Sequence, residues 1–288
     1  MKILLFGLMF SLMSVVLIAA DKVVDPAQSA LDAAKVIFAD GKDYPGAQAA
    51  FEKVLKDYPT ANVDILAEVQ KYVGISLNYQ QRGLEAQAAF EKVLKDYPTA
   101  NVDILADAQL GIGGSLVLSS QPAEAQAAFE KVLTNYPTAS AELLVAAQMQ
   151  VACVLRCQGK PAEAQVAFEK VITEYPTASL NTLADAQEGL GYSLKEQGKQ
   201  AEAQTAFMTF VQNYVCQLGA TNEQSRVWQA FDLINPKLVA PADYKTFIEN
   251  TIKAVKTTEA NAKFLDRLKS ELKIASCKAS SRGRKTGN

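Results

Sequence analysis

Two cysteines four residues apart, Cys153 and Cys157, are one set of side chains whose type and spacing could do chemistry. The other is a glutamate that recurs at Glu52, Glu91, Glu130 and Glu169. A cysteine pair at this spacing shares one helix face and supplies half of a tetrahedral zinc site. The other half is missing, because the 288-residue chain has no histidine. A disulfide between the two is disfavoured within one helical turn. The pair therefore reads as two small thiols in a groove or core. Cys216 and Cys277 are the better candidates for pairing with each other. The absence of histidine also removes histidine triads and general bases. Glu52 and Glu91 each have a lysine four residues on, Lys56 and Lys95, which is the pattern of an exposed helix pair rather than of an acid–base couple. No phosphate-binding glycine loop or nucleophile motif appears. The expectation is a chain that is not an enzyme, holds no metal or other cofactor and binds no nucleic acid.

The recurrence of the glutamate belongs to a larger pattern. Phe51, Phe90, Phe129, Phe168 and Phe207 are each 39 residues apart, and residues 47–67 are identical to residues 86–106. A strict period of this length means one supersecondary unit stacked on itself. Copying of this kind is hard to reconcile with catalysis, which needs a unique asymmetric constellation. Within a unit, Ala47, Phe51, Val54, Leu55 and Tyr58 form an apolar stripe at helical spacing, and Pro59 ends the helix. Tyr97-Pro98, Tyr136-Pro137 and Tyr175-Pro176 repeat the stop, and the fifth copy replaces it with Tyr214-Val215. Asn62, Asn101, Ser140 and Ser179 are expected to cap the next helix, with Asp64, Asp103 and Glu142 suiting its dipole. That helix is expected to end near Gln81, Ser120, Gly159 and Gly198. Its small positions Gly74, Gly113, Ala152 and Gly191 permit close helix approach, and Asp25-Pro26 opens the first helix.

These residues resemble the tetratricopeptide repeat family over roughly residues 28–222. In the unit beginning at Ala184, the family's small residue matches Gly191, its inter-helix glycine Gly198, its alanine Ala203 and its large apolar residue Phe207. Its helix-ending proline matches Pro59, Pro98, Pro137 and Pro176. The period of 39 departs from the family's usual length of about 34. The family's early tryptophan is replaced by Gln70, Gln109, Gln148 and Gln187. The wording AFEKVLKDYPT is most similar to bacterial envelope tetratricopeptide proteins of the Bam-lipoprotein and Tol-Pal-coordinator types. The resemblance implies an all-α solenoid of stacked antiparallel helix pairs that binds a protein or peptide along its concave side. Carrying over the family's concave positions gives partner-binding candidates Tyr72, Asn78, Tyr79, Met149, Arg156, Tyr192 and Lys195, with Cys153, Cys157 and Glu188 beside them. Tyrosine, methionine and arginine suit such contacts, although Tyr72, Tyr79 and Tyr192 could equally pack against neighbouring helices.

Compartment and ends complete the reading. Met1-Lys2 and the apolar run 3–20, closing in Ala19-Ala20, read as a secretory signal peptide cut before Asp21. An uncleaved anchor is the alternative, and no cysteine follows the run for lipid attachment. Residues 1–215 carry 16 Lys+Arg against 24 Asp+Glu, whereas residues 216–288 carry 13 against 7. The basic end could favour peripheral association with an anionic envelope surface. The domains expected are five repeats over 21–222, a C-terminal helical cap over 223–277, with a degenerate sixth repeat as the alternative there, and a disordered basic tail over 278–288. In the cap, Thr221–Gln224 resembles a capping box, and a last helix is expected over Glu259–Ile274. The function expected is an exported scaffold for a protein or peptide partner in the bacterial cell envelope. The alternative is a structural envelope protein that associates with copies of itself.

Overall fold

A computed structural model describes residues 25–214, 221–255 and 261–283, with side chains described outside 221–226 and 277–283. The signal segment, its cleavage point and Cys216 lie outside the described residues, as does the Cys277 side chain, so neither the export reading nor that cysteine pairing is visible. Among the described residues there are thirteen helices and no strand. None of these helices is long and apolar enough to cross a membrane. The chain divides into two compact units, Met1–Ala100 and Asn101–Asn288. The division falls inside the repeat array, after its second helix pair.

The first unit holds two antiparallel pairs, α1 (Pro26–Ala39) with α2 (Tyr44–Asp57) and α3 (Val63–Tyr79) with α4 (Gly83–Asp96). The second holds three pairs: α5 (Val102–Leu118) with α6 (Pro122–Asn135), α7 (Ala141–Cys157) with α8 (Pro161–Glu174), and α9 (Leu180–Glu196) with α10 (Gln200–Tyr214). Three further helices follow, α11 (Thr221–Leu233), α12 (Pro241–Ala254) and α13 (Ala262–Gly283).

Most helix starts follow the caps expected. Asn62 and Asn101 accept from the N–H of Asp64 and Asp103 at 2.8 Å, and Ser179 Oγ accepts from Thr182 N–H at 3.1 Å. Ser140 departs from the pattern. Its side chain makes no capping bond, and its backbone N–H instead donates to Asp103 Oδ1 at 2.7 Å. Asp103 thereby ties the first turn of α5 to the start of α7, a use of that carboxylate beyond the helix dipole. At the other end each of the four 17-residue helices closes with one residue in the left-handed region. Gly159 and Gly198 hold it at φ 73° and 77°, but Gln81 and Ser120 hold it at 61° and 58°. The next N–H bonds back across the turn, as Gln121 N–H does to Leu116 O at 2.9 Å.

The repeated phenylalanine is the centre of each pair. Phe51, Phe90, Phe129, Phe168 and Phe207 are all at most 1% exposed. In three pairs the facing helix is bare where the ring lands. A Cβ at Gly74 would stand 2.9 Å from Phe90 and one at Gly191 2.6 Å from Phe207, and one at Gly113 would run into Phe129. A buried glutamine fastens the same two helices. Gln70, Gln109, Gln148 and Gln187 donate to the carbonyls of Ala89, Ala128, Ala167 and Ala206 at 3.1, 3.1, 3.3 and 3.3 Å. Each bond pairs a buried amide N–H with a buried carbonyl, avoiding the cost of leaving either unmet. A second glutamine joins successive pairs. Gln158 donates to Pro122 O and Gln126 Oε1, and Gln197 to Pro161 O and Gln165 Oε1.

The C-terminal helices cover the last pair. Phe210, Val211 and Tyr214 of α10 are buried with Val227, Phe231, Ile248, Phe264 and Leu268. Arg267 lies over the rings of Trp228 and Phe231, 5.5 and 5.0 Å from their centroids. Helix α13 starts later than Glu259 and runs past Ile274 to Gly283, so part of the segment expected to be a disordered tail is helical. The reason is local: residues 275–282 contain no proline or glycine, and their alanines and lysine favour helix. The side chains of the expected capping box at Thr221–Gln224 are outside those described.

Two stability measurements test this packing. Phe129→Ala should cost about 3–5 kcal/mol in urea unfolding, and a change near zero would show that the ring is not the core. Ser120→Gly should instead raise stability by about 0.5–1 kcal/mol, because glycine takes positive φ without the Cβ penalty. A loss of stability there would contradict the turn geometry.

Candidate functional site

The sequence-derived candidates fall into two groups, one in each compact unit. In the first unit, helices α1 and α3 turn one face toward the same side. Tyr72, from the middle of α3, stacks on Phe51 with ring centroids 5.0 Å apart. Tyr79, the last residue of α3, stacks on Tyr44 at 4.5 Å. Phe38 of α1 touches both tyrosines edge-on, at 5.7 and 5.5 Å. Cations surround this cluster: Lys35 and Lys71 approach the Tyr72 ring at 5.4 and 5.1 Å, and Lys35 pairs with Glu68 at 2.8 Å. Packing is thus what Tyr72 mainly does. Tyr79 packs as well, yet remains 57% exposed. Asn78 is half-buried beside it, and its carbonyl accepts from Gln81 N–H in the closing turn.

In the second unit the candidates converge. Helices α7 and α9, with the loop from Tyr175 to Ser179, enclose a cleft of about 860 Å³. Met149, Cys153 and Arg156 line it from α7, successive turns of one face. Asp185, Glu188 and Tyr192 line it from α9 at the same kind of spacing. Phe168 forms part of its wall, and a Cβ at Gly189 would run into that ring. Gly189 and Tyr72 occupy equivalent repeat positions. Tyrosine there caps the preceding phenylalanine, whereas glycine leaves room and the cleft opens.

Arg156 spans the cleft's two helices. Its guanidinium lies 5.7 Å from the centre of the Tyr192 ring and donates to Glu196 Oε1 at 3.3 Å. Its Nε is buried without a hydrogen-bond partner. Tyr192 in turn sets its edge against Phe207 at 5.4 Å, so the arginine, tyrosine and core phenylalanine form one layered contact. Burial pushes the Cys153 thiol up, Arg156 pulls it partly back, and Cys157 and Asp185 add to the rise. That places Cys153 on the inert side of cysteine chemistry. Cys157 is exposed, and both thiols are free. Among the described residues no group of three or more histidine, cysteine or acidic side chains is placed to hold a metal.

Of the seven candidates, Met149, Arg156 and Tyr192 line this cleft, and Lys195 is exposed beyond it. Glu142, Asp185, Tyr175 and Phe168 were not anticipated as lining residues. Their repeat roles hid them: Glu142 reads as a helix-start charge, Tyr175 as a helix stop and Phe168 as core. The one available signal was the three- and four-residue spacing of Asp185, Glu188 and Tyr192 on a single face.

Comparison with known proteins agrees with this architecture. The tetratricopeptide repeat family model matches residues 28–61, 107–139, 146–178 and 185–214. No curated protein sequence matches the chain. Among solved structures, a Podosopora anserina protein of nearly identical TPR-like repeats is 17% identical, covering 68% of this chain and all (100%) of its own, with a TM-score of 0.55. A single-substitution variant of those repeats scores 0.55 at 16% identity, over 67% of this chain and 96% of its own. A tetratricopeptide repeat protein from Parabacteroides merdae is 14% identical, covering 87% of this chain and 86% of its own, with a TM-score of 0.51. At such identities the likeness is one of fold.

The two thiols give a direct check on the cleft. At pH 8, iodoacetamide should alkylate exposed Cys157 roughly tenfold or more faster than Cys153, read by peptide mapping, since a raised thiol holds less thiolate. Equal rates would show that Cys153 is not sheltered between α7 and α9.

Proposed function

We propose that this chain of tetratricopeptide repeats is an exported, non-catalytic scaffold that binds a protein or peptide partner in the bacterial cell envelope. Proteins of this repeat type generally mediate protein–protein interaction. The observation that carries the reading is the cleft between α7 and α9, where Met149, Arg156 and Tyr192 meet around about 860 Å³ of open space. A volume of this size suits a few side chains of an extended segment rather than a flat surface contact. Methionine supplies an adaptable apolar surface, and arginine stacked on tyrosine supplies an anchor of the kind that dominates interfaces. The export half of the reading rests on the basic start, the apolar run over 3–20 and the small residues before Asp21. With no cysteine after that run, the mature chain is released rather than lipid-anchored.

Affinity capture from the native envelope fraction, run in parallel with wild-type protein and with Arg156→Ala/Tyr192→Ala, tests the reading. A partner held through the cleft should bind the variant more than tenfold more weakly, a loss of about 1.4 kcal/mol. Unfolding midpoints of both proteins exclude simple destabilisation. Equal binding by a well-folded variant would remove the cleft from the function, and mature protein retaining Met1 in the membrane pellet would replace export by anchoring. Light scattering that showed only self-association, with nothing captured, would favour a self-assembling structural protein.

A further inference from the structure

The cleft's lining has a sign. Three carboxylates, Glu142, Asp185 and Glu188, face it, against one cation. That cation, Arg156, is already engaged by Glu196 and spread over the Tyr192 ring. The formal excess is therefore negative, and it surrounds apolar surface from the half-buried Ala146, Met149 and Tyr192. The electrostatic field in a recess is focused by its low-dielectric walls, so a net negative lining there selects ligand charge more strongly than the same groups on an open face. Glu52, Glu91 and Glu130 of the second helices lie outside this cleft, each accepting from a glutamine one turn earlier on its own helix.

We propose that the α7–α9 cleft recognises an extended peptide segment of another protein in which large apolar side chains alternate with lysine or arginine. The apolar side chains fill the space beside Met149 and the Tyr192 ring, and the basic ones meet Asp185 and Glu188. Alternation matters, because successive side chains of an extended segment point to opposite sides. One set then enters the cleft while the other reaches its carboxylate rim. This proposal rests on the reading of the cleft as a peptide site and adds the chemistry of the peptide.

Fluorescence anisotropy with the purified protein at low salt tests it, using three capped synthetic peptides. One alternates leucine and lysine, one alternates leucine and glutamate, and the third is KASSRGRKTGN, the chain's own basic end, which lacks large apolar residues. The leucine–lysine peptide should bind at least tenfold more tightly than either of the others. Glu142→Gln/Asp185→Asn/Glu188→Gln should weaken it at least tenfold, while Glu52→Gln/Glu91→Gln/Glu130→Gln should leave it unchanged. Thermal midpoints are read for every variant, and Glu188→Gln alone serves if the triple change unfolds the protein. The proposal is overturned if the cleft substitutions have no effect, or if the second-helix ones weaken binding equally, which would mean diffuse charge attraction. Equal binding of KASSRGRKTGN would overturn it by assigning the cleft to the chain's own end. If the leucine–glutamate peptide binds instead and Tyr192→Ala removes it, the peptide site stands and its proposed chemistry falls. If no peptide binds, both fall.

Discussion

Each helix pair is centred on a buried phenylalanine ring, and in three of the five the facing helix carries a glycine where the ring lands. The Phe129 ring comes so near Gly113 that a single methyl group there would collide with it. This closeness sets the spacing of the two helices, and other features follow from that spacing. The glutamine at 70, 109, 148 or 187 reaches the partner helix's carbonyl only because the backbones are close. In the related family a tryptophan fills that position. Here an amide does so by bonding, at lower volume and with a directional constraint that a ring lacks. The ring supplies burial, and the glutamine fixes the register at which burial occurs.

Much of this was legible before any coordinates. The period, the apolar stripe, the Tyr-Pro stops and the small positions at 74, 113, 152 and 191 follow from spacing and residue type. What stayed hidden were choices among chemically equivalent uses of a residue. Ser140 is as good an N-cap as Asn101, but Asp103 takes its backbone N–H and its side chain caps nothing. Gln81 and Ser120 gave no warning that they would sit at positive φ, since a glycine marks that position only in later repeats. The buried glutamines read as a departure from the family pattern, because their 39-residue recurrence marks the position but not the carbonyl 19 residues on that each one bonds.

The site was half legible for a related reason. Positions on the groove side came from the resemblance to the repeat family, and three of the seven candidate residues line one cleft. Whether a groove tyrosine packs or stays open depends on its neighbour in the preceding pair. Tyr79 finds Tyr44 at 4.5 Å because the first pair alone carries a tyrosine there; its equivalents are Gly83, Pro122, Pro161 and Gln200. Tyr192 finds an arginine instead, and its face becomes part of a charged wall. Such pairings involve two repeats at once and are lost when each repeat is read alone.

Core packing and the lining of the cleft are largely separable in this fold. The rings, the small residues beneath them and the paired glutamines are buried, whereas Met149, Arg156 and Glu188 are only half-buried and carry no part of the ring contact. Those lining positions can change without loosening a pair, which is how near-identical units come to present different surfaces. Gly189 is where the two roles meet. It is a groove position, yet any side chain there would collide with Phe168, a core ring of the preceding pair. A substitution that closed the cleft at Gly189 would also have to displace that ring. The space between α7 and α9 is therefore tied to core packing, because the glycine that borders it cannot gain a side chain without moving the Phe168 ring.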